Sequence, residues 1–229
     1  MIRDFFNYLQ GEMTFLEVLI SLCAVLFVLF CTLPIHEFAH AKVATWLGDQ
    51  TPRLSGRLTL NPFRHLDPIG SLMILLVGFG YAKPVQVNMR NFKNPRGGMA
   101  LTAIAGPLSN IIAAFFFMLI YNILLFFYVS SQSPVIASIM MFLSFAAIIN
   151  ISLGVFNLLP IPPLDGSRIL TLLIPARHYY KVMQYERYIM IGVLVLIFTG
   201  VLSTPLTRLS GLVFTGINRV ASLIVNLFL

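Results

Sequence analysis

Charge is the commodity this chain has least of: Asp, Glu, Lys and Arg make up 10% of its 229 residues, against 58% hydrophobic. A soluble globular domain carries roughly a quarter charged residues, so water is not the main solvent here. Cysteine is scarce too. Cys23 and Cys31 share one apolar run, where a helix would set them about 12 Å apart along its axis, too far for a disulfide to close. They are expected to be buried small hydrophobes. Internal repeats, low-complexity tracts and extended polar linkers are also missing, which leaves residues 1–229 as a single membrane-embedded domain. Acids number only eight, so the carboxylates available for any chemistry form a short set.

What the chain does have is long apolar runs. Phe15 to Pro34, Met99 to Val129 and Pro134 to Leu159 are almost free of charge, and each exceeds the roughly 20 residues that carry a helix across about 30 Å of hydrocarbon. The first run does not read as a cleavable signal peptide and is expected to stay in the mature protein: Asp4, Glu12 and Glu17 precede or open it, and it continues directly into His36 and Glu37. The expected fold class is an all-α polytopic membrane protein with five long spans, at about 14–47, 99–129, 134–159, 186–203 and 206–228. Pro68 to Tyr81 is apolar but too short to cross and is flanked by bases, which predicts a re-entrant or interfacial segment. Around it, Arg53 to Asn61 and Tyr81 to Asn88 read as short strands of a small membrane-associated β-sheet within about 51–92, with Pro84 confining its strand to a sheet edge.

A net charge of +7 raises the question of a nucleic-acid partner, and the position of the bases answers it. Arg53, Arg57, Arg64, Lys83, Arg90, Lys93 and Arg96 lie between the first two spans, and Arg168, Arg177, Lys181 and Arg187 between the third and fourth. Under the positive-inside rule those loops are cytoplasmic. The N-terminus is then outside and the C-terminus cytoplasmic, in a multi-pass cell-membrane protein whose partners are lipid and other membrane proteins rather than nucleic acid.

Chemistry concentrates in His36-Glu37-Phe38-Ala39-His40, at the end of the first run. Residues four apart on a helix share a face, so two imidazoles can grip one zinc while Glu37 stands beside it as a proton acceptor and later donor. The chain's own His and Glu content would produce this pattern by chance only about 0.002 times. The plain alternative is that both histidines hydrogen-bond inside a bundle and Glu37 caps or pairs with Lys42. Ionisable groups in hydrocarbon are costly and usually functional. A catalytic zinc needs a third ligand, and Asp165 is the best of the few acids. It follows Asn157-Leu158-Leu159-Pro160-Ile161-Pro162-Pro163-Leu164, where three prolines end the helix and leave broken backbone that must line a wet or protein-walled space. The alternative for Asp165 is a solvated interfacial turn.

The H-E-x-x-H together with Asn157 to Gly166 resembles the site-2 protease family of intramembrane zinc metalloproteases, peptidase family M50. Gly106-Pro107-Leu108-Ser109-Asn110, Leu58-Thr59-Leu60-Asn61-Pro62 and His65-Leu66-Asp67-Pro68-Ile69-Gly70 are also similar to its compact bacterial members without a PDZ domain. The resemblance implies one zinc per chain held by His36, His40 and Asp165. It implies Glu37 as general base and acid, and Asn157 as a group that holds substrate or the oxyanion. His65 would either reach the reacting atoms or pair with Asp67, and Gly106 and Asn110 would support helix packing. His178, beside Tyr179 and Tyr180, reads as an interfacial belt residue. Two departures stand out: Gln86 where proline is common, and Ser167 where a second glycine is. The implied reaction is hydrolysis of peptide bonds in or near membrane-spanning segments of other proteins, with the last two spans gating entry. A competing reading is a catalytically silent zinc-binding scaffold or transporter, and Glu37, which neither would need, separates the two.

Overall fold

The computed structural model describes residues 7–77, 82–174 and 181–228; His178 and the Tyr179–Tyr180 pair, and the last part of the 68–81 segment, lie outside these. The first span begins at Thr14, whose hydroxyl accepts from the Glu17 N–H while the Glu17 carboxylate accepts from the Thr14 N–H. This reciprocal cap satisfies helix-end donors that lipid could not. Helix α1 (Phe15–Phe27) passes through one π turn (Val28–Thr32) into α2 (Leu33–Trp46). Pro34 explains the interruption, because its ring would clash with the carbonyl four residues earlier in an unbroken α-helix. The wider turn accommodates it and sets the rotation at which His36 and His40 emerge.

After α2 come a short helix α3 (Thr51–Leu54), helix α4 (Pro68–Val77), and the long helices α5 (Pro95–Ser131) and α6 (Pro134–Asn157). Helices α7 (Asp165–Leu173), α8 (Glu186–Phe198) and α9 (Ser203–Phe228) complete the described chain. Helix α5 is central, packing against α2, α6, α7 and α9. Its seam with α6 and α9 is filled by Ala114, Met118, Ala147, Ile151 and Ala221, small and flexible side chains that let the helices approach closely. Helix α4 lies against the first span through Ile74, which packs on Val25 of α1, Leu29 of the π turn and Leu33 of α2.

Among the described residues, four helical stretches are long and apolar enough to cross a membrane: Phe15–Trp46, Pro95–Ser131, Pro134–Asn157 and Ser203–Phe228. The fold is thus an all-helical, multi-pass membrane protein, with two departures from expectation. The fourth expected span, 186–203, is represented by α8, whose 13 residues rise only about 20 Å. It stops before Gly200, which takes a left-handed φ of 81°. No strand occurs among the described residues. Arg53 to Asn61 instead begins inside α3, and the segment from Ala82 to Asn88 is extended but makes a single antiparallel bridge, Leu66 with Ala82. The physical reason is donor supply: the Lys83 N–H makes the one bridge bond, to the His65 carbonyl, Pro84 has no N–H, and the Asn88 N–H goes to the Asp49 carboxylate. Cys23 and Cys31 are free and exposed rather than buried, facing outward with the apolar side chains of the first span.

Candidate metal centre

The first half of α2 carries His36, Glu37 and His40, all buried. Opposite them, α6 ends at Asn157 and the chain turns through Leu158 to Leu164 before restarting as α7 at Asp165. Gly166 is what lets that turn close. A Cβ there would lie 2.2 Å from the Leu158 carbonyl oxygen and 2.5 Å from that of Leu159, backbone atoms that cannot swing aside. Ser167, the departure from a second glycine, fits without strain: it is fully buried and its hydroxyl donates to the Leu164 carbonyl.

Asp165 is thereby brought 125 residues back onto the histidines. Its Oδ2 lies 3.2 Å from His40 Nε2 and 3.3 Å from His36 Nε2, and the two Nε2 atoms are 3.1 Å apart. Three donor atoms form a nearly equilateral triangle. A tetrahedral ion with bonds of about 2.0–2.1 Å sets neighbouring donors roughly 3.3–3.4 Å apart, so the triangle's edges come within about 0.2 Å of the length that zinc requires. The His40 tautomer agrees with this. Its Nδ1 lies 2.7 Å from the Thr102 carbonyl, an acceptor only, so Nδ1 carries the hydrogen and the Nε2 lone pair faces the triangle. A backbone partner of this kind is the usual orienting group for a metal-bound histidine.

The third wall is Gly106 on α5. A Cβ at this position would sit 2.2 Å from His40 Nε2 and 2.6 Å from His36 Nε2. Space is kept free where the two lone pairs converge, and a hydrogen at Gly106 is what keeps it so. The residues present therefore fit a zinc ion in donor chemistry, spacing and clearance.

A cavity of about 50 Å³, room for a few waters, opens beside the triangle. Glu37, His40, Thr102, Asp165, Arg168 and the extended Pro84–Val85 segment line it. Asn157 is half-buried, and its Nδ2 donates to the Leu153 carbonyl of its own helix, 3.0 Å away. His65 is fully buried, with Nε2 2.8 Å from the Thr59 carbonyl. Asp67 instead accepts from the N–H groups of Ile69 and Gly70 and caps α4. The Asn110 side chain is buried and neither of its polar atoms has a partner among the described residues, so it does not bridge helices as packing arguments suggested.

Two features escaped the sequence reading. The Thr102 carbonyl is a backbone atom and has no side-chain signal. Asp49 is a buried carboxylate that accepts from Thr51 N–H and Oγ1, Asn88 N–H and Asn91 Nδ2 at 2.6 to 3.0 Å. It ties the end of the first span to the extended segment that walls the cavity. The Asp-x-Thr pattern at positions 49–51 is a local turn signature, but its 39-residue reach to Asn88 is not.

The model of peptidase family M50 matches residues 126–200, which include Asp165. YwhC of Bacillus subtilis, named as a candidate zinc metalloprotease, is 44% identical over 171 residues, covering 75% of this chain and 78% of YwhC. Two Rip2 proteins, named in the same way, are 29% identical over 140 residues in Mycolicibacterium smegmatis and 30% over 139 in Mycobacterium tuberculosis. Each match covers 59% of this chain and 51% of the relative, so the alignment spans about half of Rip2. No solved structure matches. With this degree of identity to YwhC over most of both chains, the protein belongs to peptidase family M50, the site-2 proteases, and is an intramembrane zinc metalloprotease.

Proposed function

We propose that His36, His40 and Asp165 hold the catalytic zinc, and that Glu37 is the general base and then the general acid for hydrolysis of peptide bonds in or near substrate membrane spans. The observation that carries this reading is the triangle of Nε2, Nε2 and Oδ2 atoms, 3.1 to 3.3 Å on each edge, with Glu37 lining the cavity beside it. Zinc supplies Lewis acidity and makes water a nucleophile at neutral pH. Glu37 accepts a proton from the attacking water. It returns that proton to the amide nitrogen as the C–N bond breaks, giving a carboxylate and an amine.

A helical substrate hides its scissile carbonyl in its own hydrogen bonds, so it must unwind locally before hydrolysis. The extended Pro84–Val87 segment at the cavity offers main-chain partners to an unwound strand by β-augmentation, even though this protein builds no sheet of its own there. Asn157 and His65 enter as positioning residues: Asn157 caps the end of α6 where the Asp165 turn begins, and His65 pins its loop to Thr59.

The distribution of bases favours a cytoplasmic loop between the first and second long spans. The N-terminus is then outside and the centre, near the end of the Phe15–Trp46 helix, near the cytoplasmic leaflet. Helices α8 and α9, joined by Thr199–Leu202, would act as the fourth and fifth crossings, with a cytoplasmic C-terminus, and flank substrate entry. The whole chain serves as one membrane-embedded domain.

The test compares wild-type protein with Glu37→Gln, co-expressed or reconstituted with single-span substrate proteins. Loss of cleavage with zinc still bound supports the assignment. Unchanged processing by the variant would remove Glu37 from the chemistry.

A further inference from the structure

We propose that Arg168 is a further catalytic residue, donating from its guanidinium to the carbonyl oxygen that becomes the oxyanion and then to the product carboxylate. This rests on the zinc-protease reading above. Arg168 follows Asp165 by three residues on α7, so the two leave the helix on the same face, and both line the cavity that Glu37 and His40 line. Arg168 is the one basic side chain other than histidine among that cavity's lining residues.

The guanidinium is also uncommitted. It is half-buried, and among the described residues its side-chain contact is Nη1 to the Met99 sulfur at 3.9 Å, a weak acceptor. No ion pair to a carboxylate involves it there; Asp165, the nearest acid in sequence, turns its Oδ2 to the two imidazoles. A guanidinium taken partly out of water keeps most of its donors in need of acceptors. The other candidate donor, Asn157, has one of its two amide N–H groups committed to Leu153, whereas the guanidinium has five.

A substrate strand lying along Pro84–Val87 would bring its carbonyl to this corner. When water attacks, the carbonyl π electrons move to oxygen, and Glu37 removes a proton from the water. Collapse of the tetrahedral species breaks the C–N bond, and the proton passes from Glu37 to the amine. Arg168 stabilises charge through its N–H donors and transfers nothing. Its bonds strengthen as charge grows on that oxygen, which is the condition for lowering the barrier rather than merely binding substrate.

The experiment measures kcat and KM separately on a single-span substrate in proteoliposomes for wild type, Arg168→Lys, Arg168→Met and Arg168→Ala, with zinc content measured for each. Removing a donor of this kind costs about 100- to 1000-fold in kcat. Arg168→Met should fall in that range with KM and zinc content near wild type, and Arg168→Lys should recover part of the rate. Millimolar methylguanidinium should restore Arg168→Ala saturably, which a packing role would not allow. A wild-type kcat in Arg168→Met, a defect confined to KM, or zinc lost together with activity would overturn the proposal. Glu37→Gln run alongside tests the underlying reading: if it cleaves at the wild-type rate, that reading fails first, whatever Arg168 does.

Discussion

Gly106→Ala adds one methyl group and should separate folding from metal binding. The ideal Cβ falls 2.2 Å from His40 Nε2 and 2.6 Å from His36 Nε2. Carbon needs about 3.5 Å from a non-bonded neighbour, so both rings must retreat, each by roughly 1 Å. Metal sites tolerate displacements of only about 0.2 Å in their bonds. The His40 ring is also tethered through Nδ1 to the Thr102 carbonyl, so retreat breaks that bond as well. Loss of an outer-shell partner alone costs about 10- to 100-fold in metal affinity, and a carbon placed where the lone pairs converge should cost more than 100-fold, above about 2.7 kcal/mol. The scaffold should feel the opposite effect, because alanine inside a helix is about 1 kcal/mol better than glycine, which offsets part of the ring movement. The expected result is a protein that purifies folded, with an apo melting temperature near wild type, yet holds less than about a tenth of the wild-type zinc by elemental analysis. Full zinc occupancy and wild-type resistance to a competing chelator would show that the triangle is not where the metal sits.

Three further outcomes follow from the same geometry. Asp165→Ala removes one corner of the triangle and should abolish stoichiometric zinc while leaving the helical circular dichroism spectrum intact; zinc retained at one per chain would exclude Asp165 as a ligand. Gly166→Ala meets the Leu158 and Leu159 carbonyls and should cost about 1–3 kcal/mol, as overpacking does, lowering both melting temperature and zinc content, whereas a stable, zinc-replete variant would refute the closeness of that turn. Asp49→Asn should lower stability by about 1–3 kcal/mol at neutral pH, since buried donors lose their acceptor. Burial alone would raise the Asp49 carboxyl, but the bonds from Thr51, Asn88 and Asn91 more than compensate and lower it. A folded-state value below the unfolded one, about 3.9, means that this stabilisation is complete above that pH and is lost as pH falls through the lower folded value. The melting difference between wild type and variant should therefore be constant near neutrality and shrink in acid; a difference that grows in acid would contradict the sign.

The contrast between what was readable and what was not has a physical origin. His36, Glu37 and His40 were legible because their relation is fixed by one helical repeat, and a helix geometry is the same everywhere. Asp165 was legible by scarcity, since a membrane chain with eight acids can spare few, and by the prolines that break the helix before it. The small sheet was misjudged because side-chain alternation records only exposure along one segment, whereas a strand exists through partners on another. Beyond the single bridge bond from Lys83 to His65, Pro84 has no N–H to give and the Asn88 N–H goes to a carboxylate instead. The fourth span was overestimated for a related reason: apolar composition continues through Val201 and Leu202, but a left-handed Gly200 ends the helix regardless of hydropathy. Gly106 lies between these cases. Its sequence context announces close packing, yet what it packs against is the convergence of two imidazole lone pairs from another helix. A missing methyl group can thus be as much a part of a metal site as the ligands, because the ion needs a vacancy that neither neighbouring helix would leave by itself.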